Sequence, residues 1–388
     1  MKEEKKRQLL RSQSGGWLNL YSTRTARFYI KQMRRNSSKT DANTIKQAAL
    51  RTRTISSVGL ERCLHTAEVT SSNLVLSIDS TIHSLHGVLE PWFVVQYLNS
   101  KNISKETLKI SDALIIRSTR KYGAETLLGT KVKFIGTVTS GYEHIDTEFC
   151  EKNGIFWATA HGSNAESVAD YISAALIEIS KKTGKPLNEL ALGIIGVGAV
   201  GSCVKRNAEN FGMRLLLCDP PKNLNDNIFD ADIITLHTPL ETRGKYPTKH
   251  LVNKEFFSKT KQGTWLINAA RGAVCNGEAL REALQSKHLG GAVIDTWENE
   301  PNIDTSLLPL IEIATPHIAG HSTEAKINAN KMIVNSLCKF FGMECTVHFN
   351  ISINKTRNYS IRADDLAFRK NPENFTEIRN RYERIYVN

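Results

Sequence analysis

The chain has 388 residues, enough to bury one large core and more readily two, and its 40 % hydrophobic and 23 % charged residues are ordinary for a soluble globular protein. No apolar run is long enough to cross a bilayer, and the opening MKEEKKRQLLRSQSGGW lacks the apolar centre of a secretory signal, so a cytoplasmic protein with no membrane partner is expected. The net charge of +12 is concentrated in residues 1–73, where 15 Lys/Arg face 5 Asp/Glu; the other 315 residues carry only +2, which gives no basis for a nucleic-acid partner of the body.

Residues 1–54 are polar, basic and without clear periodicity. They read as a basic arm, an organellar transit peptide or disordered sequence. A further reading starts at residue 55. Val69 to Val75 back-translates to a string containing GTTCGAATC, which is like the T-arm of a transfer RNA. Ile55 to Glu61 back-translates to a D-arm-like string, in the right order. The leader 1–74 is therefore expected to be disordered or not native coding sequence, with the folded protein beginning near Val75 or Leu76. The seven cysteines (63, 150, 203, 218, 275, 338 and 345) form no CxxC pair. An odd, unpatterned set suggests free thiols in a reducing compartment, most of them small core hydrophobes, and no metal centre.

From Leu74 the pattern becomes globular. LVLSID is a first strand; TIHSLHGVLEPWF reads as a helix capped by Ser80 or Thr81; WFVVQYL is a second strand. SDALIIRST forms a buried strand ending in Arg117, Ser118 and Thr119. VKFIGTVTSGYEHID forms another, ending in Thr137, Thr139, Ser140 and Gly141. Strands alternating with helices imply a parallel sheet with ligands at its carboxyl ends. These small residues can donate there to a carboxylate or phosphate, or they are simple turn chemistry. Residues 163–181 make an amphipathic helix with Ser163 or Asn164 able to cap it, and it crosses towards a second domain.

Residues 192–219 read as strand, glycine turn, helix and strand. Gly196, Gly198 and Gly201 have GxGxxG spacing: one for the tight turn, one for backbone approach to a pyrophosphate, one for close helix packing. The helix start offers free N–H groups to phosphate. Asp219, 18 residues after Gly201, can accept from ribose hydroxyls and would repel the extra phosphate of NADP. The stretch thus reads as an NAD site. Further strands are expected at 232–237, 264–269 and 291–295, and a last one ends at His317. They deliver His237 with Thr238, then Arg271, then Asp295 with Glu300, then His317 to the carboxyl ends of a doubly wound sheet. Arg271 can hold a carboxylate bidentately. His317 can exchange the proton of an alcohol, and Glu300 can orient it. Each has an ordinary reading alone: a surface ion pair, a solvated acid, a capped strand end.

The motifs GVGAVG with Asp219, LHTPL, INAARGAV, DTWENEP at 295–301 and TPHIAGH at 315–321 resemble the D-isomer-specific 2-hydroxyacid dehydrogenase family. LLLCDPP at 215–221, the IIRST and KFIGTVTSGYEHID pairing and the C-terminal tail resemble the branch acting on 4-phospho-D-erythronate. The resemblance covers about residues 76–388, in pieces. It implies two doubly wound parallel-sheet (Rossmann-like) domains, 75–171 with 318–343 for substrate and 172–317 for NAD. It also implies a short C-terminal α+β dimerisation segment, 344–388, and hence a homodimer. The implied reaction oxidises the 2-hydroxyl to the 2-oxo acid with reduction of NAD, in vitamin B6 biosynthesis. Arg271, Glu300 and His317 fall on the family's catalytic positions. NAD contacts fall on Ala199, Val200, Asp219, Thr238, Asp295 and Gly320, and substrate contacts on Ser118 and Thr139. The family's substrate-contacting tyrosine is His321 here, able to donate to phosphate with a charge that depends on pH. The stretch between Asp219 and Asp232 is about ten residues shorter than the family pattern, leaving NLNDNIF where a helix should cover the sheet, which would expose apolar surface. The rival readings are a dehydrogenase of glycerate, phosphoglycerate or hydroxypyruvate, and a non-catalytic NAD-binding regulator.

Overall fold

The structure, a computed structural model, describes residues 74–345, 347, 358–382 and 386–387. The leader 1–73 and Cys63 therefore lie outside the described residues. The chain forms two compact units, one of residues up to Leu76 with His86–Gln96, the other of Ser77–Leu85 with Tyr97–Asn388. In the first, Val94 donates to the Leu74 carbonyl at 3.0 Å, and Phe93 to that of Leu89 at 3.0 Å. Strands β1 (Val75–Asp79) and β2 (Val94–Leu98) each have residues in both units. The helix expected over TIHSLHGVLEPWF is only a 3-10 turn, His83–Leu85. The Asp79 carboxylate accepts from both the N–H and the hydroxyl of Thr81, which sets a turn. Gly87, with φ +75°, and Pro91 then prevent its continuation.

The second unit holds the sheets that matter for function. Strands β3 (Ala113–Ile116), β4 (Phe134–Thr137) and β5 (Phe156–Thr159) pair in parallel. Short helix α1 (Lys105–Leu108) precedes β3, and α2 (Ala124–Leu127) and α3 (Thr147–Lys152) connect β3 to β4 and β4 to β5. Helix α4 (Ala165–Thr183) follows, starting and ending slightly later than the expected range. Asn164 is its N-cap residue but makes no capping bond, because its Oδ1 accepts from the Ser140 hydroxyl at 2.8 Å instead.

The nucleotide sheet contains β6 (Ala191–Ile195), β7 (Arg214–Asp219), β8 (Leu224–Asn225), β9 (Ile233–Leu236), β10 (Thr264–Asn268), β11 (Leu289–Ile294) and β12 (Ile313–Ala314). Its order is β12-β11-β10-β9-β6-β7-β8, parallel except for β7–β8. Helix α5 (Ala199–Asn210) joins β6 to β7; α6 (Lys254–Lys259) and α7 (Gly277–Gln285) precede β10 and β11. Alternate strand residues serve two cores. Leu192, Ile194, Ile233, Ile267 and Val293 pack with α4, while Ile195, Ile234, Leu266 and Ile294 pack with α6 and α7. A sheet covered on both faces needs apolar residues at every position, which these strands supply. The order of winding reverses between β6 and β9, so the carboxyl ends of those two strands flank a crevice.

The short stretch after Asp219 does not form a helix. It folds as β8 antiparallel to β7, then a 3-10 turn Ile228–Asp230. Ile228 is buried and Phe229 packs edge-on to Phe256 at 5.2 Å, so this turn covers part of the sheet. Leu215, Leu216 and Leu217 remain half-exposed, as the missing helix implies.

Helix α8 (Thr323–Phe340) ends at its C-cap Phe341, and the turn that follows brings Cys345 to Cys338 with Cα atoms 6.0 Å apart. They are joined as a disulfide, which corrects the expectation that all thiols are free. Cys150 and Cys275 are buried free thiols, as expected of small core residues; Cys203 and Cys218 are free and half-buried. The C-terminal segment pairs β13 (Asn358–Tyr359) with β14 (Tyr386–Val387) and contains α9 (Ile361–Lys370) and α10 (Phe375–Arg381). Helix α9 covers the β12 edge. Asp365 accepts from the Ala314 N–H at 2.7 Å, and Arg369 donates to the carbonyls of Leu308 and Ile311. An open edge is thereby closed within the chain.

Candidate active site

The glycine turn is built as its spacing predicts. Gly196 has φ +88°, and a Cβ there would press on the His237 carbonyl at 2.8 Å. At Gly201 a Cβ would overlap the Gly196 carbonyl, so α5 can approach β6 only with glycine there. Over Gly198 nothing lies within 4 Å of an added Cβ. Gly198 caps α5 without a side-chain bond, so the first-turn N–H groups at Ala199 and Val200 have no side-chain acceptor. Asp219 ends β7 and holds the turn, its Oδ2 accepting from the Val197 N–H at 2.8 Å. Across the crevice, the Thr238 hydroxyl is buried without a hydrogen-bond partner among the described residues. Open space, free N–H groups, a carboxylate and an orphaned hydroxyl together fit a dinucleotide.

Three strand ends converge beside this turn. Glu300 Oε2 and His317 Nδ1 are 2.7 Å apart, and Glu300 Oε1 accepts from the Trp297 N–H at 2.7 Å. Burial raises the Glu300 pKa, but the His317 hydrogen bond and charge, the Trp297 N–H and Arg379 together hold it below the usual carboxylate value. His317 has φ +57°, a left-handed backbone rare for a side chain this large. Asp295 holds it there. Asp295 is 1 % exposed and accepts from the Ile318 and Ala319 N–H groups at 2.8 and 3.0 Å and from the Thr315 hydroxyl at 2.7 Å. Tyr171 of α4 lies 2.7 Å from that same hydroxyl, so a buried chain of hydroxyls supports the loop from behind. Gly320 closes the loop against Asn164, whose amide an added Cβ would overlap.

Arg271 follows β10, and its Nε donates to Glu143 Oε1 at 3.1 Å. Burial raises the Glu143 pKa, yet Arg271 brings it net below the ordinary value, so the acid stays charged at neutral pH. Glu143 was not foreseen from the sequence. It sits in the loop after β4, where the Thr139 hydroxyl donates to the Gly141 carbonyl and lies 2.7 Å from that of Thr137. Buried His144 backs Thr137 at 2.9 Å. Thr139 is thus committed to shaping this loop, while Ser118 at the end of β3 is exposed. His321 differs from expectation. Burial, with Arg379, His317, Lys326 and Arg117 around it, pushes its pKa down to about 3. The ring is therefore neutral at physiological pH rather than a pH-dependent charge.

The family described as D-isomer specific 2-hydroxyacid dehydrogenase, NAD binding domain, matches residues 168–319. The chain is 40 % identical over 313 residues to the erythronate-4-phosphate dehydrogenase of Bacteroides fragilis, covering 74 % of this chain and 89 % of that one. It is 44 % identical over 260 residues to the enzyme of that name from Bacteroides thetaiotaomicron, covering 64 % and 75 %. Among solved structures it is similar to the D-lactate dehydrogenase of Aquifex aeolicus complexed with NAD and lactic acid. There the TM-score is 0.56 and the identity 26 %, over 69 % of this chain and 95 % of that one. The TT0316 protein of Thermus thermophilus gives a TM-score of 0.59 at 27 % identity, over 71 % and 99 %.

Proposed function

The chain belongs to the D-isomer-specific 2-hydroxyacid dehydrogenases, and from that premise we propose that it oxidises the 2-hydroxyl of 4-phospho-D-erythronate to the 2-oxo acid, a step of vitamin B6 biosynthesis. It is an NAD-dependent enzyme of 2-hydroxy acids with a Rossmann-like nucleotide sheet. The observation that carries the proposed chemistry is the 2.7 Å contact between His317 and Glu300, with Arg271 in electrostatic reach of the same Arg379 as Glu300. The names of the relatives at 40 and 44 % identity support the substrate.

In this reading Arg271 anchors the substrate carboxylate with its planar fork and polarises the carbon next to it. Glu300 fixes the His317 tautomer with the proton on Nδ1, leaving Nε2 free to take the hydroxyl proton. The glycine turn would hold NAD, which when bound would supply the hydride acceptor. Gly196, Gly198, Ala199, Val200, Gly201, Asp219, Thr238, Asp295 and Gly320 form the cofactor side, and Ser118, Thr139 and His321 the substrate side. The same reading divides the chain at 172 and 318 and makes 344–388 a dimerisation segment of a cytoplasmic homodimer without nucleic-acid or membrane partners. Among the described residues no helix is long and apolar enough to cross a membrane.

The test is a substrate panel with NAD and the full chain. The expected result is a kcat/KM for 4-phospho-D-erythronate well above those for D-glycerate and 3-phosphoglycerate. Preference for another acid would keep the mechanism and discard this substrate. NAD binding with no turnover on any acid would favour a regulator. Sedimentation of the same sample tests the dimer; a monomer at all concentrations would remove it.

A further inference from the structure

Helix α10 brings one more cation to the site. Phe375 is 2 % exposed and packs against Phe368 at 5.9 Å, which in turn packs against Trp297 at 6.2 Å. Trp297 is the residue whose N–H donates to Glu300. Arg379 lies one helical turn after Phe375 and therefore shares its inward face. It is half-buried, yet its side chain makes no hydrogen bond or ion pair among the described residues. Its charge acts on Glu300, Asp295, His321, Arg117 and Arg271. Arg117, at the end of β3, likewise has no hydrogen-bond or ion-pair partner among the described residues, and it repels Arg379. Glu300 and Asp295 offset part of the Arg379 charge across space, but neither bonds to its fork: the two Glu300 oxygens face His317 and Trp297.

Two half-buried guanidinium groups whose forks bond to no carboxylate among the described residues leave donors for a ligand, and an anionic ligand would offset their mutual repulsion. Guanidinium suits a phosphate, because its fork donates two parallel hydrogen bonds. A phosphate monoester near neutral pH carries about −1.5 to −2 charges, and a carboxylate adds one more. Arg271 answers the carboxylate, and Arg379 with Arg117 answers the rest. We propose that Arg379 and Arg117 form the subsite for the phosphate of the substrate, with His321 beside them, and that Arg379 selects phosphorylated over unphosphorylated hydroxy acids. This deepens the reading of a phosphorylated hydroxy-acid substrate and rests on it.

The test is the binding of 4-phospho-D-erythronate and of D-erythronate to the full chain saturated with NADH, so that no turnover intervenes, followed by calorimetry. Wild type should prefer the phosphorylated acid. Arg379→Gln and Arg117→Gln should each reduce that preference by about tenfold or more, the loss expected of a charge-assisted hydrogen bond. Affinity for D-erythronate should change by less than about twofold. Arg379→Lys, which keeps the charge but not the fork, should lose only part. It also serves if Arg379→Gln does not fold. A preference undiminished in Arg117→Gln, or undiminished in Arg379→Gln (or in Arg379→Lys if Arg379→Gln does not fold), or an equal loss for both acids, would overturn the subsite, as would a wild type without preference. A wild type that prefers the phosphorylated acid but does not oxidise it would leave the subsite standing and remove the proposed reaction. Normal oxidation with a preference indifferent to Arg379 would do the reverse.

Discussion

Glu143 occupies the guanidinium that, in the proposed reading, would hold the substrate carboxylate. Their Nε–Oε1 distance is 3.1 Å, and the acid is 62 % exposed, so the pair is partly screened. A substrate held by Arg271 would have to displace it. Glu143→Gln is therefore expected to lower KM for the hydroxy acid by up to about fivefold with little change in kcat, which steady-state kinetics would show. A raised KM would mean that Glu143 positions Arg271 instead. His321 gives a pH prediction. Its folded pKa of about 3 lies below the ordinary histidine value of about 6.5, so the unfolded chain binds the extra proton between those limits. Stability is then full above about pH 6.5 and falls as pH drops towards 3. His321→Tyr, the family's residue, should show a smaller drop in Tm between neutral and mildly acidic buffer than wild type; an equal drop would assign the acid sensitivity elsewhere. Arg271, Glu300 and His317 were legible in the sequence because each follows a strand and a short motif. Glu143 was not, because its partner is 128 residues away and the pairing depends on how the Thr139–Gly141 loop folds.

Elements show the same division between local signal and tertiary placement. The glycine turn is local, and it separates folding from binding. Gly198→Ala meets open space, so its Tm should stay near wild type while its Kd for NAD rises. Gly201→Ala overlaps the Gly196 carbonyl and should lower both Tm and affinity. Thermal melts and NAD titrations of the two variants would check this, and equal behaviour would contradict the assigned roles. The helix near 163–181 was legible because its apolar spacing is strong, whereas its cap was not, since Asn164 is drawn to Ser140 of another element. TIHSLHGVLEPWF failed as a helix because the Asp79 turn and Gly87 outweigh its apolar spacing. Helices α9 and α10 were read from the sequence only as part of a dimerisation segment, yet Phe368 is 0 % exposed between Trp297 and Phe375. Phe368→Ala should cost about 3–5 kcal/mol by denaturant unfolding, and a cost under about 1 kcal/mol would show that α9 is not part of this core.

At the scale of the whole molecule, strand order explains why the glycine turn, Asp219, Thr238, Arg271, Asp295, Glu300 and His317 gather at one end of the seven-stranded sheet. The chain winds outward from β6 in both directions, so each of its parallel strands delivers its last residue to the same side. That was legible, because alternating strands and helices with a glycine turn allow few other arrangements. The closing of the β12 edge by Asp365 and Arg369 was not, since it rests on polar pairs between distant segments. The most direct test of the account is the rate of NADH formation from NAD and 4-phospho-D-erythronate by the full chain and by His317→Ala and Arg271→Ala. The account predicts turnover in wild type and a fall of about 10²–10⁴-fold in kcat for His317→Ala, the range expected for loss of a general base. Arg271→Ala should lose kcat/KM at least as severely, with the fold retained in both. Turnover that persists in both variants would contradict the assigned site, and absence of turnover in wild type would contradict the assigned reaction.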